Sequence, residues 1–301
     1  MTPQLSVIVA AQNAGDSIVA CLDSLLTQEF NQVLQIIVVD GSSDNTAALV
    51  KTRFPDLYLI QRPCPSSLPH LLGVGISVAE GAVVAITEAH CTFPPDWAGR
   101  VLAAHEADPA PAIGGVVEPG PTLGWSDWAL YFADYGQFMR PLHSGPVREM
   151  PGENVSFKVG ALNAARRAGD SFEQTGFWKT FLCERLQQAN QVLLSVAEIV
   201  VFYNRHLGIT SIIVRRLTHG RCLGGMRRLQ ISWQRRTLIV VGGWLLPGLI
   251  FVRLWRNVWP KRRHRFKFII SLPLILIAIV AWSIGEWWGT LFGTGNSCDY
   301  V

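Results

Sequence analysis

Short apolar runs alternate with stretches of helical spacing over the first two hundred residues. Leu5-Ser-Val-Ile-Val-Ala-Ala11 predicts a buried strand, and Ile18, Val19, Leu22, Leu25 and Leu26 then recur at helical spacing. Further strands are predicted over 33–39, 57–60, 82–87, 112–118, 155–159 and 192–201. Helices are predicted from residue 47 and over 70–79, 95–107 and 176–189. Asp44 or Asn45 is positioned to cap the second helix. Strands alternating with helices of about ten residues predict an α/β domain, a mostly parallel sheet with helices on both faces. Ligands of such sheets bind beyond the carboxyl ends of the strands. Ala11–Asn13, Asp40–Asp44 and Glu88–His90 therefore carry the first interest.

From about residue 210 the pattern changes. Thr210–Arg236 threads apolar residues among Arg and His, which predicts interfacial helices with a basic face. Thr237–Val252 and Phe268–Gly285 follow as two uncharged apolar runs. A membrane span needs about 20 apolar residues. The second run qualifies, whereas the first is short and holds Gly242, Gly243, Pro247 and Gly248. Lys and Arg flank the first run on both sides, against the usual one-sided bias. Two membrane segments are expected, with the number of crossings open. The organisation expected is thus 1–208 for the α/β domain, 209–236 for basic interfacial helices and 237–301 for a membrane region.

Composition agrees with that division. Of 301 residues 49% are hydrophobic and 16% charged, and mean hydropathy is +0.26. Intrinsic disorder and low-complexity classes are excluded. The net charge of +4 is mild, but its distribution is not. From Arg205 to Lys267 there are 15 Lys and Arg and no Asp or Glu. Beside apolar runs this reads as attraction to anionic lipid headgroups. Nucleic acid is not expected as a partner, because the stretch lacks aromatic stacking platforms. The six cysteines form no C-x-x-C pair and are expected to be reduced thiols. No cleaved signal is expected at the N-terminus. The aromatic residues of 125–139 fall mostly on one helix face and are expected to pack.

Leu5-Ser-Val-Ile-Val-Ala-Ala-Gln-Asn13 followed by Ile36-Ile-Val-Val-Asp-Gly-Ser-Ser-Asp-Asn-Thr46 resembles the start of the inverting family 2 glycosyltransferases of the GT-A fold. The likeness covers roughly residues 4–205 and includes the order of the elements. It implies a Rossmann-like GT-A sheet, here followed by interfacial and transmembrane helices. The tail is similar to that of members that glycosylate lipids or polymers at the cytoplasmic face of the cell membrane. The implied partners are a nucleotide-sugar donor, membrane lipids and a lipid or polymer acceptor.

The resemblance implies roles for individual residues. Ala11, Asn13, Asp40, Ser42 and Glu88 fall at the nucleotide-binding positions, and Asp40 can accept a ring N–H of the base or a sugar hydroxyl. Capping is the expectation for Asp44. Where the family carries Asp-x-Asp, this chain reads Glu88-Ala-His90. Glu88 and His90 are the expected ligands of a divalent metal, Mn or Mg. Imidazole suits Mn²⁺ better than Mg²⁺, which prefers oxygen. The family's catalytic base lies in a Glu-Asp motif, whose place is taken here by Trp178-Lys179. Glu184 and Glu173, the acids nearest that position in sequence, are the candidates for the catalytic base, and Glu153 lies in a loop from which it also could reach. Glu184 is about 140° further round the helix, so it does not simply substitute. Arg216, His219 and Arg221 match the family's basic segment and are expected to hold a diphosphate or the acceptor. Two functions stay open: a membrane-associated inverting transferase, and a degenerate relative that binds nucleotide and membrane without catalysis.

Overall fold

The computed structural model describes residues 3–29, 31–166 and 171–300. The elements run β1 (Leu5–Ala11), α1 (Ile18–Leu26), β2 (Leu34–Asp40), α2 (Thr46–Arg53), β3 (Tyr58–Gln61), α3 (Leu68–Ser77), β4 (Val83–Glu88), β5 (Cys91–Thr92) and α4 (Trp97–Ala107). Then come β6 (Ala112–Pro119), α5 (Trp125–Tyr135), β7 (Gly145–Val147), β8 (Val155–Lys158), α6 (Val159–Ala165), α7 (Phe172–Thr175), α8 (Lys179–Gln188) and β9 (Leu193–Tyr203). The chain closes with α9 (Ile209–Arg228), α10 (Trp233–Gly242), α11 (Leu246–Val258) and α12 (Arg265–Phe292). It divides into two units, 1–120 with 140–204, and 121–139 with 205–301.

The first unit is built on a nine-stranded sheet in the order β3-β2-β1-β4-β8-β6-β9-β5, with β7 paired to β9. The first four strands in that order are parallel. β8 then enters antiparallel to both β4 and β6, so the sheet is mixed. All seven residues of β1 are buried, as a strand covered on both faces requires. Val7 and Val9 pack with Ile18, Leu22 and Trp97 on one face. Ile8 and Ala10 pack with Leu71, Val74 and Phe157 on the other. This period of two divides the core into two layers.

One core polar pair has a pH signature. His105 of α4 is buried, with Nε2 2.8 Å from Ser156 Oγ on β8. Burial pushes its pKa from 6.5 down to about 4, and the nearby Lys158 pushes the same way. The folded protein thus prefers the neutral ring. The stability this carries is complete above pH 6.5 and is lost as pH falls through about 4, to an extent of about 3 kcal/mol. Thermal unfolding in detergent is expected to show a smaller drop in Tm between pH 7 and 4 for His105→Gln than for the natural chain. Equal drops would refute this.

The second unit is helical. α9 runs parallel to α12 and crosses it at four glycines. A Cβ on Gly220 or Gly224 would stand 2.2 or 2.3 Å from the carbonyl oxygens of Trp282 and Glu286. A Cβ on Gly285 or Gly289 would stand 2.1 Å from those of Leu217 and Arg221. α5 covers another part of α12, with Phe132 edge-on to Phe268 at 5.1 Å and Trp125 Nε1 donating to the Ile270 carbonyl at 2.7 Å. The aromatic face of α5 packs as expected: Trp128, Tyr131 and Phe132 are buried. The expectation of reduced thiols is corrected for two cysteines. Cys222 and Cys298 form a disulfide, because the α9–α12 crossing brings the segment after α12 back beside α9. Cys21, Cys64, Cys91 and Cys183 are free.

Candidate active site

The parallel register aligns the carboxyl ends of three strands. Ala11 pairs with Asp40 and Ala10 with Glu88, so the expected nucleotide residues meet along one edge of the sheet. Asn13 adopts a left-handed φ of 49°, which Asn tolerates better than most residues. That turn lets its backbone N–H donate to Ser42 Oγ at 2.7 Å. Ser42 Oγ in turn donates to Asp40 Oδ1 at 2.6 Å, and Asn13 Oδ1 accepts from the Ser43 N–H at 2.9 Å. Asp40 is 2% exposed. Burial raises its pKa, against the hydrogen bonds from Ser42, which lower it. Asp44 ties the two loops together, accepting from the N–H groups of Gly15 at 3.1 Å and Thr46 at 3.0 Å. Asn45 occupies the cap position of α2 without a side-chain cap bond.

β4 delivers Glu88, and His90 follows two residues later. Glu153 joins them. Its arrival follows from the antiparallel pairing of β8 with β4, in which Ile86 faces Val155. Continued two residues beyond Ile86 and two residues back from Val155, that antiparallel register sets 88 opposite 153. His90 Nδ1 lies 3.6 Å from Glu88 Oε2, and His90 Nε2 lies 3.9 Å from Glu153 Oε1. All three residues are buried, and one donor atom from each lies within 4.8 Å of the others. Two carboxylates and an imidazole, out of bulk water and converging, form a mostly oxygen donor set with one nitrogen, which a divalent transition ion such as Mn²⁺ accepts. The residues present therefore fit a metal. Tyr203 fixes the imidazole edge-on at 4.9 Å, and the His90 carbonyl accepts from the Asn204 N–H at 3.0 Å.

The turn bearing Glu153 is clamped by its neighbour. Asn154 Nδ2 donates to the carbonyls of Val116 and Ile199 at 2.8 and 3.0 Å, while its Oδ1 accepts from Trp97 Nε1 at 3.1 Å. One buried amide thus joins β6, β9 and α4. Gly115 leaves room for this contact, since a Cβ there would lie 2.5 Å from Asn154 Nδ2. The sequence placed Glu153 only among the loop acids. The available signal was Pro151-Gly-Glu-Asn154, a turn feeding a strand, but the pairing partner of that strand was not legible.

Other expected residues fall elsewhere. Glu173 pairs with Arg62 at 2.6 Å on the surface, and Glu184 is exposed on α8. Neither belongs to the Glu88–His90–Glu153 group. Lys179, at the expected base position, donates from Nζ to the Met150 carbonyl. Burial pushes its pKa down, while Cys183, Glu153 and Glu149 pull it up. Arg216, His219 and Arg221 belong to the second unit. Arg216 pairs with Asp134 at 2.8 Å and lies 5.6 Å over the Trp282 ring. His219 stacks on Trp282 at 5.9 Å, and Arg221 Nε donates to the Gly293 carbonyl at 3.4 Å.

Comparison with known proteins points the same way. Over 92 residues the chain is 37% identical to the uncharacterized glycosyltransferase YibD of Escherichia coli, covering 29% of this chain and 26% of that protein. Over 102 residues it is 33% identical to the succinoglycan biosynthesis protein ExoO of Rhizobium meliloti, covering 33% and 29%. The match thus spans under a third of each of these relatives. Among solved structures, the mannosyltransferase PcManGT of Pyrobaculum calidifontis, in complex with GDP-Man and Mn²⁺, aligns with a TM-score of 0.57 at 17% identity, covering 96% of this chain and 88% of that one. S. aureus TarS 1-349 in complex with UDP-GlcNAc aligns with a TM-score of 0.51 at 13% identity, covering 94% and 90%. GalNAc-T7 with UDP, GalNAc and Mn²⁺ gives 0.52 at 14% identity, covering 68% and 44%. These neighbours share the GT-A fold. The profile of Glycosyl transferase family 2 matches residues 6–170, more than half of the chain, and the chain belongs to that family.

Proposed function

We propose that this protein is a membrane-associated inverting glycosyltransferase. It moves a sugar from a nucleotide diphosphate sugar to a lipid or polymer acceptor at the cytoplasmic membrane face. The observation that carries this is the convergence of Asp40, Glu88, His90 and Glu153 at the carboxyl ends of β2 and β4 and the start of β8. The bound GDP-Man, UDP-GlcNAc and Mn²⁺ of structures sharing the fold support a nucleotide-sugar donor and a divalent ion.

In this proposal Asp40 accepts a ring N–H of the base, held in orientation by Ser42. Asn13, with its left-handed turn, shapes the loop around the nucleoside. Glu88 meets the ribose or, with His90 and Glu153, holds the cation. A divalent ion held there supplies positive charge against the departing diphosphate. Lys179 keeps the loop ahead of Glu153 in place through the Met150 carbonyl. Arg216, His219 and Arg221 remain the candidates for a diphosphate or acceptor.

Membrane association rests on the two apolar helices and the cationic stretch around them. The Cys222–Cys298 bond pulls against a cytoplasmic site, since disulfides persist mainly in oxidising compartments.

A second reading is favoured by one observation, the lysine in place of the expected base. It is a relative that keeps the nucleotide pocket and has lost transfer. Calorimetry of the detergent-solubilised protein with UDP and GDP, each with and without Mn²⁺, tests the shared part. One nucleotide is expected to bind in a Mn²⁺-dependent way, and Asp40→Ala is expected to abolish that binding. Binding of neither would refute both readings. Binding without turnover of any donor sugar, water included as acceptor, would establish the second.

A further inference from the structure

The apolar helices satisfy the length requirement for spanning taken singly. The continuous segment Trp233–Lys261 has 29 residues and α12 has 28. Their surroundings within the second unit change the argument. α12 is packed by α5 and α9, and those helices bring charge alongside it. Lys267 lies on α12 itself, with Nζ 5.9 Å from the Trp128 ring. Arg216 lies 5.6 Å over Trp282, and Arg227 pairs with Glu286 one turn further on. The uncharged run of α12 itself, 268 to 285, is about 27 Å long at about 1.5 Å per residue, and Arg216 of α9 already stands over its last turn. A bilayer core is about 30 Å thick. In the other arm Arg236 and Arg253 bound an uncharged stretch of about 24 Å. That arm is also broken by a 3-10 turn over Gly243–Leu245, with Pro247 just beyond.

The exposed residues form a pattern that hydropathy alone does not show. Along α10, the 3-10 turn and α11, Leu238, Val241, Leu245, Leu249 and Val252 are exposed at spacings of three and four. On α12, Ile269, Ile277, Val280, Ile284 and Trp287 are exposed along one stripe. Leu274, Ile275, Ala278 and Ile279 of the same helix are buried. α12 therefore has a protein face and an apolar outward face along its whole length. The two arms are antiparallel neighbours: Trp287 Nε1 donates to the Val240 carbonyl at 3.1 Å, and Trp255 meets Phe268 at 5.6 Å.

We infer that this hairpin lies in the plane of an anionic membrane surface, its outward apolar stripe sunk among the acyl chains, and does not cross the bilayer. The inference rests on the membrane association proposed above. The occupant is lipid because the stripe is framed by cations: Arg235 and Arg236 at one end, Arg262 and Arg263 at the other. No acid interrupts the chain from 205 to 267. Apolar residues with a basic border, and indoles such as Trp233 and Trp244 exposed among them, suit the headgroup–acyl boundary. In this orientation the charges on α5 and α9 stay on the wet side of α12.

The test uses the full chain carrying Cys64→Ser, which removes the exposed free thiol. It is reconstituted into sealed vesicles containing phosphatidylglycerol. Either Arg263→Cys at the hairpin turn or Gln230→Cys at its base is then added. A membrane-impermeant maleimide applied from outside is expected to label both positions to the same extent in one preparation, since both face one side. A spin label carried in turn at Leu238, Leu245 and Val252 is expected to report one shallow depth. Labelling of the two positions from opposite sides, or a depth maximum at Leu245, would overturn the in-plane arrangement while leaving membrane association standing. Failure to float with these vesicles would remove membrane association itself and the inference with it. A vesicle-independent dimer that hides the stripe would assign the face to a second copy, and so would also overturn it.

Discussion

Glu153→Gln is expected to weaken Mn²⁺ binding by about 100-fold, as read by titration of the free ion in the presence of the nucleotide that binds. Removing even an outer partner of a metal site costs about 10- to 100-fold, and Glu153 stands in the proposed donor set itself. Its carboxylate is fully buried and lies 3.9 Å from His90 Nε2. The substitution preserves size and leaves the Asn154 clamp intact, so the fold is retained. Glu173→Gln and Glu184→Gln should leave metal affinity unchanged, because one is paired with Arg62 and the other is exposed. Unaltered Mn²⁺ affinity in Glu153→Gln would remove it from the donor set and return it to the candidates for catalytic base. The first proposal, in which Asp40 and Glu88 serve the nucleotide, would survive that outcome.

The other large effect is expected from Gly285→Leu. A single Cβ at this position would sit 2.1 Å from the Leu217 carbonyl, closer than any van der Waals contact allows. A leucine can be accommodated only by moving α9 off α12. Overpacking of a close contact ordinarily costs about 1–3 kcal/mol. Here the obstacle is backbone on the facing helix, so a loss at or above the top of that range is expected. Gly220 and Gly224 on α9 meet Gly285 and Gly289 on α12 in the small-xxx-small pattern that lets helices approach closely. Thermal unfolding of the detergent-solubilised chain, followed with limited proteolysis of residues 205–300, would show the loss. A variant with unchanged Tm and unchanged cleavage would mean that the two helices do not cross at these glycines.

The parts of the candidate site legible in the sequence were those that depend on local pattern. Asp40 and Glu88 each end an apolar run, and a parallel sheet collects such ends at one edge whatever the pairing order. His90 was legible by its spacing from Glu88, although the structure places residues 89 and 90 in a turn after β4 and not on an extended strand. Glu153 was not legible as a partner, since an alternating strand does not state which neighbour it pairs with or in which direction. The antiparallel insertion of β8 beside β4 decides it, and that is a property of the whole sheet. The second unit had a similar limit. The apolar runs were plain, but the attachment of α5, a segment far earlier in sequence, depends on packing of Phe132 on Phe268. The cysteine pairing was invisible for the same reason: 76 residues separate the partners, and only the glycine crossing brings them together.

That bond has a topological consequence. α10, α11 and α12 all lie between Cys222 and Cys298, so the hairpin is an arc of a closed covalent circuit. Lys261, Arg262, Arg263 and Arg265 at its turn offer cleavage sites to a protease specific for basic residues. A nick there opens the circuit without freeing either piece, as it would in a cyclic peptide. Reduction of the bond turns the same nick into a severance, after which α12 is held to the rest of the protein by packing alone.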